Sequence, residues 1–192
     1  MNMKSSLGAL MSFALGFGTL LACTGRAGAQ QFYELAAGWS PVAPAPASST
    51  SAFSAGPSFR GSIGQPVAAR ASVRFDADAM FFRLHLVRPD PCPDPVCPVR
   101  HYNDYTRAVF GVTANGLVSF DSRRVFSLLA GLGVYDVNAK DNSIHFGGSA
   151  GVDMAIPVGR RYRPFVEATW HGLATKGSGP SWVAPFAVGL RF

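Results

Sequence analysis

The chain ends on the stretch WVAPFAVGLRF, residues 182–192, and this stretch decides the fold class. Every second residue from Trp182 to Phe192 is apolar, whereas the residues between them are mostly small and include the charged Arg191. Successive side chains of a β-strand point to opposite sides of its sheet, so this period of two predicts a strand with one apolar face.

The same period recurs through the chain and predicts eight strands. Their alternating segments lie within residues 33–39, 53–63, 71–81, 108–114, 126–134, 144–156, 166–170 and 182–192. No stretch of twelve residues after the first thirty has a convincing helical apolar face. The predicted class is therefore all-β, in one domain.

Composition favours strands that contact lipid. The 192 residues are 48 % hydrophobic but only 15 % charged, against about 25 % charged in ordinary soluble domains. No run of 18 apolar residues occurs after the first 25 positions, which excludes membrane-spanning helices there. The polar faces are small and Gly-rich, as the narrow interior of an eight-stranded barrel requires.

The links between strands alternate in length. Long links are predicted at 40–50, 87–105, 136–142 and 175–180, and short ones at 64–67, 121–124 and 159–162. Outer-membrane barrels pair long outer loops with short periplasmic turns and carry aromatic residues near strand ends. The sequence thus predicts an eight-stranded antiparallel up-and-down transmembrane β-barrel in the bacterial outer membrane. The alternative is a soluble periplasmic or secreted barrel or sandwich that binds a small ligand.

The N-terminus reads as an export signal. Lys4 precedes an apolar stretch, and Ala27-Gly28-Ala29 forms an A-x-A cleavage site, so residues 1–29 are predicted to be a cleaved signal peptide and residues 30–192 the barrel. A second interpretation takes LLAC, residues 20–23, as a lipobox with Cys23 as the acylated residue.

Charged residues fall on the inward face of the predicted strands. Burying single charges in a narrow tube is costly, so they are expected to pair into a network that plugs the barrel, with a narrow polar conduit as the alternative. The expected members are Arg60, Arg74, Asp76, Asp78, Arg107, Asp153, Glu167 and His171.

One long link carries two cysteines, Cys92 and Cys97, in PCPDPVCP, residues 91–98. In an exported chain this spacing predicts a small disulfide. A zinc site that adds His85 and His101 is the weaker alternative, and no metal or other cofactor is expected.

Catalysis and nucleic-acid binding find little support. Glu167 and His171 share a strand face that Ser149 or Thr169 could approach, but the His-x-Ser element of lipid-modifying barrels is absent, so a lipid-modifying enzyme is the least favoured hypothesis. The basic groups at residues 123–124 and 160–163 lie at predicted turns without interleaved aromatics of the nucleic-acid type.

From about Gln31 to Phe192 the pattern resembles the OmpA-like and OmpX-like membrane barrels. The most specific resemblance is the terminal strand, with apolar residues at Phe186, Val188, Leu190 and Phe192, and residues 163–167 resemble the penultimate strand of that family. The resemblance implies that the terminal strand is the signal read by the outer-membrane assembly machinery. The proline-rich, Cys-bearing link departs from the family pattern.

These observations predict a non-enzymatic outer-membrane barrel whose outer loops serve a structural, adhesive or surface-binding role. The expected partners are outer-membrane lipids, lipopolysaccharide and the assembly machinery, and the barrel is expected to be a monomer.

Overall fold

The computed structural model describes residues 31–44, 51–87, 102–121, 123–138, 143–158, 162–174 and 180–192. These residues form eleven strand segments: β1 Phe32–Ser40, β2 Val42–Pro44, β3 Ser51–Ser54, β4 Gly56–Ala68, β5 Ala71–Val87, β6 Tyr102–Ser119, β7 Phe126–Asn138, β8 Ser143–Ala155, β9 Arg163–Leu173, β10 Pro180–Val183 and β11 Phe186–Arg191. No helix within the described ranges is long and apolar enough to cross a membrane.

The strands close into a ring. Eight segments pair with a neighbour on both sides, namely β1, β4, β5, β6, β7, β8, β9 and β11. The segment β11 joins β9 to β1. All of these pairings are antiparallel. The predicted eight-stranded antiparallel barrel is confirmed, and the two-sheet sandwich is wrong because all strands belong to one sheet.

Three of the eight strands are interrupted, which explains the eleven segments. Pro41 separates β1 from β2, and Pro185 lies between β10 and β11. Proline has no N–H to donate, so neither residue can supply a backbone donor to the ladder. Both proline carbonyls still accept, from Ala184 N–H and Thr169 N–H, each at 3.0 Å.

The third interruption is a β-bulge at Ala55. Ser54 pairs with Arg83 and Ser58 pairs with Met80, so four steps along β3–β4 oppose three along β5. A bulge of this kind bends the strand without ending it.

Several predicted links are strand instead. Residues 64–67 belong to β4, and the turn after them is Ala69-Arg70. Residues 102–105 and 136–138 extend β6 and β7, because Tyr102 pairs with Val87 and Asp136 pairs with Ile144. The predicted length alternation also fails in part, since only residues 139–142 separate β7 from β8 while 156–162 separate β8 from β9.

The faces of the strands are inverted relative to a soluble protein. Large apolar side chains lie outside, among them Leu132 with 75 % of its surface exposed, and polar side chains lie inside. The outward set is Tyr33, Leu35, Trp39, Phe59, Val67, Val118, Phe120, Phe126, Leu128, Leu132, Ile144, Phe146, Val152, Met154, Ile156, Val158, Tyr162, Trp170, Phe186, Val188, Leu190 and Phe192. This distribution matches the predicted alternation over most of the strands, but Ala108, which was predicted to face outward, is buried.

Aromatic side chains mark both ends of the exterior. Tyr33 stacks on Phe192 with ring centroids 6.2 Å apart, and Phe120 lies 5.4 Å from Phe126, at the end that holds the described termini. Trp39 and Trp170 are exposed nearer the other end. We call the first the terminus end and the second the loop end.

Candidate functional site in the barrel interior

The inward side chains form three layers along the barrel. Apolar residues fill the loop end, charged residues fill the middle, and serines and arginines surround a cavity at the terminus end. The strand alternation decides which side chains belong to these layers, because every second residue of a strand points into the tube.

Arg74 is the centre of the charged layer. Its side chain has no exposed surface and contacts Glu34 at 3.0 Å, Glu167 at 2.7 Å and Asp76 at 2.7 Å. A guanidinium group presents five N–H donors in a planar fork, so one arginine can bridge several carboxylates. Arg74 thereby ties β1, β5 and β9 together across the interior.

Two further arginines complete this layer. Arg60 pairs with Glu167. Arg191 donates to Glu34 at 2.5 Å and to both carboxylate oxygens of Asp153 at 3.1 Å. The ring centroid of Phe165 is 5.7 Å from the guanidinium carbon of Arg60 and 5.5 Å from that of Arg191, which adds cation–π attraction.

A chain of neutral hydrogen bonds extends the network towards β8. Asn115 Nδ2 donates to Asp76 at 2.7 Å and to Thr113 at 2.9 Å, and Ser149 donates to Asn115 Oδ1 at 2.5 Å. The network therefore reaches from β1 through β4, β5 and β6 to β8 and β9.

Most of the predicted interior residues meet in this layer. Arg60, Arg74, Asp76, Asp153 and Glu167 pair with partners described above, and Asp78 is buried opposite Arg60 in the β4–β5 ladder. Arg107 is only half-buried. His171 lies towards the loop end, where its Nδ1 is 2.9 Å from Tyr135 Oη.

Sequence reasoning missed three members of the charged layer, namely Glu34, Arg191 and Phe165, and also the neutral Thr113 and Asn115 that extend the network. Glu34 and Arg191 do alternate inward in the sequence, so their strand parity could have identified them. Phe165 gave no signal, because an aromatic residue on a polar face looks like an irregularity until its two arginine neighbours are known.

An apolar cap closes the loop end of the interior. It is a cluster of buried side chains from β5, β6, β7, β9 and β10: Met80, Phe82, Val109, Tyr135, Val137, Leu173 and Val183. Gly111 and Gly147 make room for the Tyr135 ring, since a Cβ at either position would come within 2.8 Å of its carbons. The sequence did not predict this cap, because small and charged residues were expected inside, although the alternation does place Met80 and Val183 on the inward face.

The suggested catalytic residues are occupied otherwise. Ser149 and His171 stand opposite each other in the β8–β9 ladder. Ser149, however, donates to Asn115, and the His171 ring bonds Tyr135, so the two do not form a nucleophile–base hydrogen bond. Among the described residues, no cluster of His, Cys, Asp and Glu could hold a metal ion.

The turn between β6 and β7 is organised by Asp121. Its carboxylate accepts from Val125 N–H at 3.1 Å and from Phe126 N–H at 3.2 Å. These backbone donors, Val125 first, lower the pKa of Asp121 because they favour its ionised form. The turn also holds Arg124 in the left-handed region with φ of 55°.

Other predicted features lie outside the described residues. These are the signal peptide at 1–29 with Cys23, the pair Cys92 and Cys97, and His101; the side chain of His85 is likewise outside them.

The terminal strand is described in full. Phe186, Val188, Leu190 and Phe192 all point outward, and β11 pairs with β1 on one side and β9 on the other. The proposed assembly signal is therefore also the strand that closes the ring.

Comparisons with known proteins agree with this architecture. No family model and no curated protein matches the chain. The structure is similar to Neisserial surface protein A, with 15 % identity, a TM-score of 0.50, and coverage of 85 % of this chain and 97 % of that one. It is also similar to the outer membrane protein OprG from Pseudomonas aeruginosa, with 9 % identity, a TM-score of 0.53, and coverage of 85 % and 97 %. The predicted resemblance to small outer-membrane barrels is thus confirmed at the level of the fold.

Proposed function

We propose that this protein is an integral β-barrel of the bacterial outer membrane, a closed scaffold that presents loops at the cell surface. The observation that carries the proposal is the inverted polarity of the strands. Large apolar side chains cover the outside, whereas Arg74, Glu34 and Glu167 lie inside without exposed side-chain surface. Soluble monomers rarely expose contiguous apolar patches beyond a few hundred Å².

A bilayer accounts for both the apolar exterior and the closed ring of strands. Lipid solvates the outward faces, and ring closure satisfies the backbone groups of the strands, which an open sheet edge in hydrocarbon could not do. The exposed aromatics near both ends suit the two membrane interfaces. The proposed partners are accordingly outer-membrane lipids and lipopolysaccharide, with the assembly machinery reading the terminal strand.

The interior favours a scaffold over a pore. The apolar cap at the loop end and the ion-pair layer below it occupy the positions that a conduit would need. We therefore assign the working surface to the loops, for a structural, adhesive or surface-binding role, and assign no enzymatic activity. The longest link, residues 88–101, is the main candidate because it offers the most chain for contact.

Fractionation combined with an epitope tag tests this proposal. A tag inserted between Asp94 and Pro95 should be reached by antibody on intact cells, and the tagged protein should stay with outer membranes after urea washing. A matched tag placed directly before Phe32, at the terminus end, should become accessible only after the membrane is permeabilised. Recovery in the soluble periplasm, or labelling of both tags on intact cells, would contradict the proposal.

A further inference from the structure

The terminus end of the barrel contains a cavity of about 590 Å³ that the scaffold role does not use. Its polar floor includes Ser72, Ser119 and Ser127, and the hydroxyls of the last two are 2.8 Å apart. This volume lies within the range of about 300–1,000 Å³ that small-molecule sites occupy. We call this cavity the vestibule.

Three arginines, Arg124, Arg163 and Arg191, line the vestibule, and no Asp or Glu side chain from the described residues does. Arg191 is neutralised by Glu34 and Asp153 in the layer beneath. Neither of the other two pairs with a carboxylate among the described residues. Two positive side chains of the lining are thus not neutralised by a described Asp or Glu side chain.

Backbone carbonyls hold both unneutralised arginines at the mouth. Arg124 Nη2 donates to the carbonyl of Ala68 at 2.8 Å, and Arg163 Nη1 donates to the carbonyl of Arg123 at 3.2 Å. These bonds fix the guanidinium groups but leave further N–H donors on each fork. The site is thus largely formed before any ligand arrives.

The backbone conformation of Arg124 is energetically unfavourable, which favours a functional role for this residue. Its backbone is in the left-handed region, which non-glycine residues rarely adopt. Partial burial lowers its pKa, and the like charges of Arg191 and Arg163 lower it further. An anion bound in the vestibule would offset this unfavourable like charge.

We propose that the vestibule binds a phosphate group, carried by a phospholipid headgroup or by a free organic phosphate. Arginine forks match phosphate oxygens with two parallel hydrogen bonds, and the serine hydroxyls can donate to the remaining oxygens. That this end faces the periplasm, and so the inner leaflet of the membrane, rests on the proposed function.

Pyrophosphate serves as the probe, titrated by calorimetry into the full barrel in phosphatidylcholine nanodiscs. We expect saturable binding that weakens at least about tenfold in the double variant R124Q/R163Q, since each loses a charge-assisted bond. The matched control R70Q/R83Q removes two exposed arginines that do not line the vestibule and should bind as the wild type does.

A lipid arm distinguishes the two sources of phosphate. If a headgroup fills the vestibule, replacing part of the phosphatidylcholine with phosphatidylglycerol weakens pyrophosphate binding to the wild type. If the site takes free phosphate, the affinity is unchanged, provided that both titrations are made at a salt concentration that screens the surface charge of the bilayer.

Equal weakening in R70Q/R83Q, unchanged binding in R124Q/R163Q, or no saturable binding overturns the proposal. If the double variant does not fold, the single variant R163Q replaces it. R163K, which keeps the positive charge, then serves as its matched control. Failure of the wild type to enter nanodiscs contradicts the membrane assignment instead, so the two failures are distinguishable.

Discussion

Arg74 shows how this barrel keeps charge in its interior. The side chain is fully buried, and an isolated guanidinium there would be strongly destabilising. Carboxylates from three strands surround it, so each charge compensates another. The network is therefore valuable mainly as a whole, because removing one member leaves the rest unpaired.

Replacing Arg74 with methionine tests this dependence. Arg74→Met should lower the free energy of unfolding by about 3–5 kcal/mol, because Glu34, Asp76 and Glu167 lose a buried partner. Urea unfolding in lipid vesicles, followed by tryptophan fluorescence, measures the change. Arg83→Met, at an exposed position, is the matched control and should be close to neutral. Equal stability of the two variants would refute the role of the network.

Asp121 should give the β6–β7 turn an acid-dependent stability. Its folded pKa is lowered, so its contribution is present above the ordinary aspartate pKa of about 3.9 and is lost as the pH falls through the folded value. Asp121→Asn resembles the protonated form of this side chain. The wild type should therefore unfold at higher urea than D121N near neutral pH, and the two midpoints should converge in strong acid. A difference that persists in acid would mean that another property of the side chain is responsible.

At single positions, the alternation predicts whether a side chain points inward or outward better than it predicts which side chains it contacts. Strand parity predicts that Arg60, Asp153 and Glu167 point inward, and the structure buries all three. Strand parity could not reveal that the Phe165 ring contacts the guanidinium groups of Arg60 and Arg191, because these contacts join residues far apart in sequence. The apolar cap was missed for the same reason, since Met80 and Val183 become neighbours only when the ring closes.

Among the elements, β11 is the strand that closes the ring. It pairs with β1 through six residue pairs and with β9 through six more. At its end, Tyr33 and Phe192 exchange two backbone hydrogen bonds of 2.8 and 2.9 Å and stack their rings. The terminal phenylalanine thus contributes both an exposed ring and two backbone hydrogen bonds. Substitution of its side chain removes the ring and keeps the hydrogen bonds.

Phe192→Ala should separate recognition from stability. The variant keeps the backbone pairing with Tyr33 but loses the ring, so refolding into detergent should be nearly unchanged, whereas the amount of assembled barrel in cells should fall severalfold. Heat-modifiable gel migration measures both quantities. Tyr162→Ala removes an exposed aromatic from the same end and serves as control. An undiminished yield of F192A in cells would contradict the assembly signal.

The number and order of strands could be predicted from the sequence, but their ends could not. Period two continues through β4 and β7 into residues that turn-forming composition had assigned to links. Gly64 and Pro66, for example, read as turn residues, yet they pair with Arg74 and Ser72 in the β4–β5 ladder. Cross-strand pairing, which decides where a strand stops, is a non-local property.

Over the whole molecule, the strands form an apolar exterior around an ionic middle layer. This combination excludes a soluble sandwich and agrees with the small barrels that the fold resembles. The central claim is that lipid, and not water, surrounds the strands. If lipid surrounds the strands, the loss of folding free energy caused by a substitution depends on its depth in the bilayer as well as on its exposure.

The most direct test compares the unfolding free energies of Leu132→Arg and Val158→Arg in lipid vesicles. The two side chains are about equally exposed, at 75 % and 74 %, but Leu132 lies in the middle of β7 and Val158 lies beyond the end of β8. A charge at the bilayer midplane should destabilise the barrel by about 2–4 kcal/mol, and one near the interface by about 0–1 kcal/mol. Equal, near-zero costs at both positions, as on a soluble surface, would contradict the account.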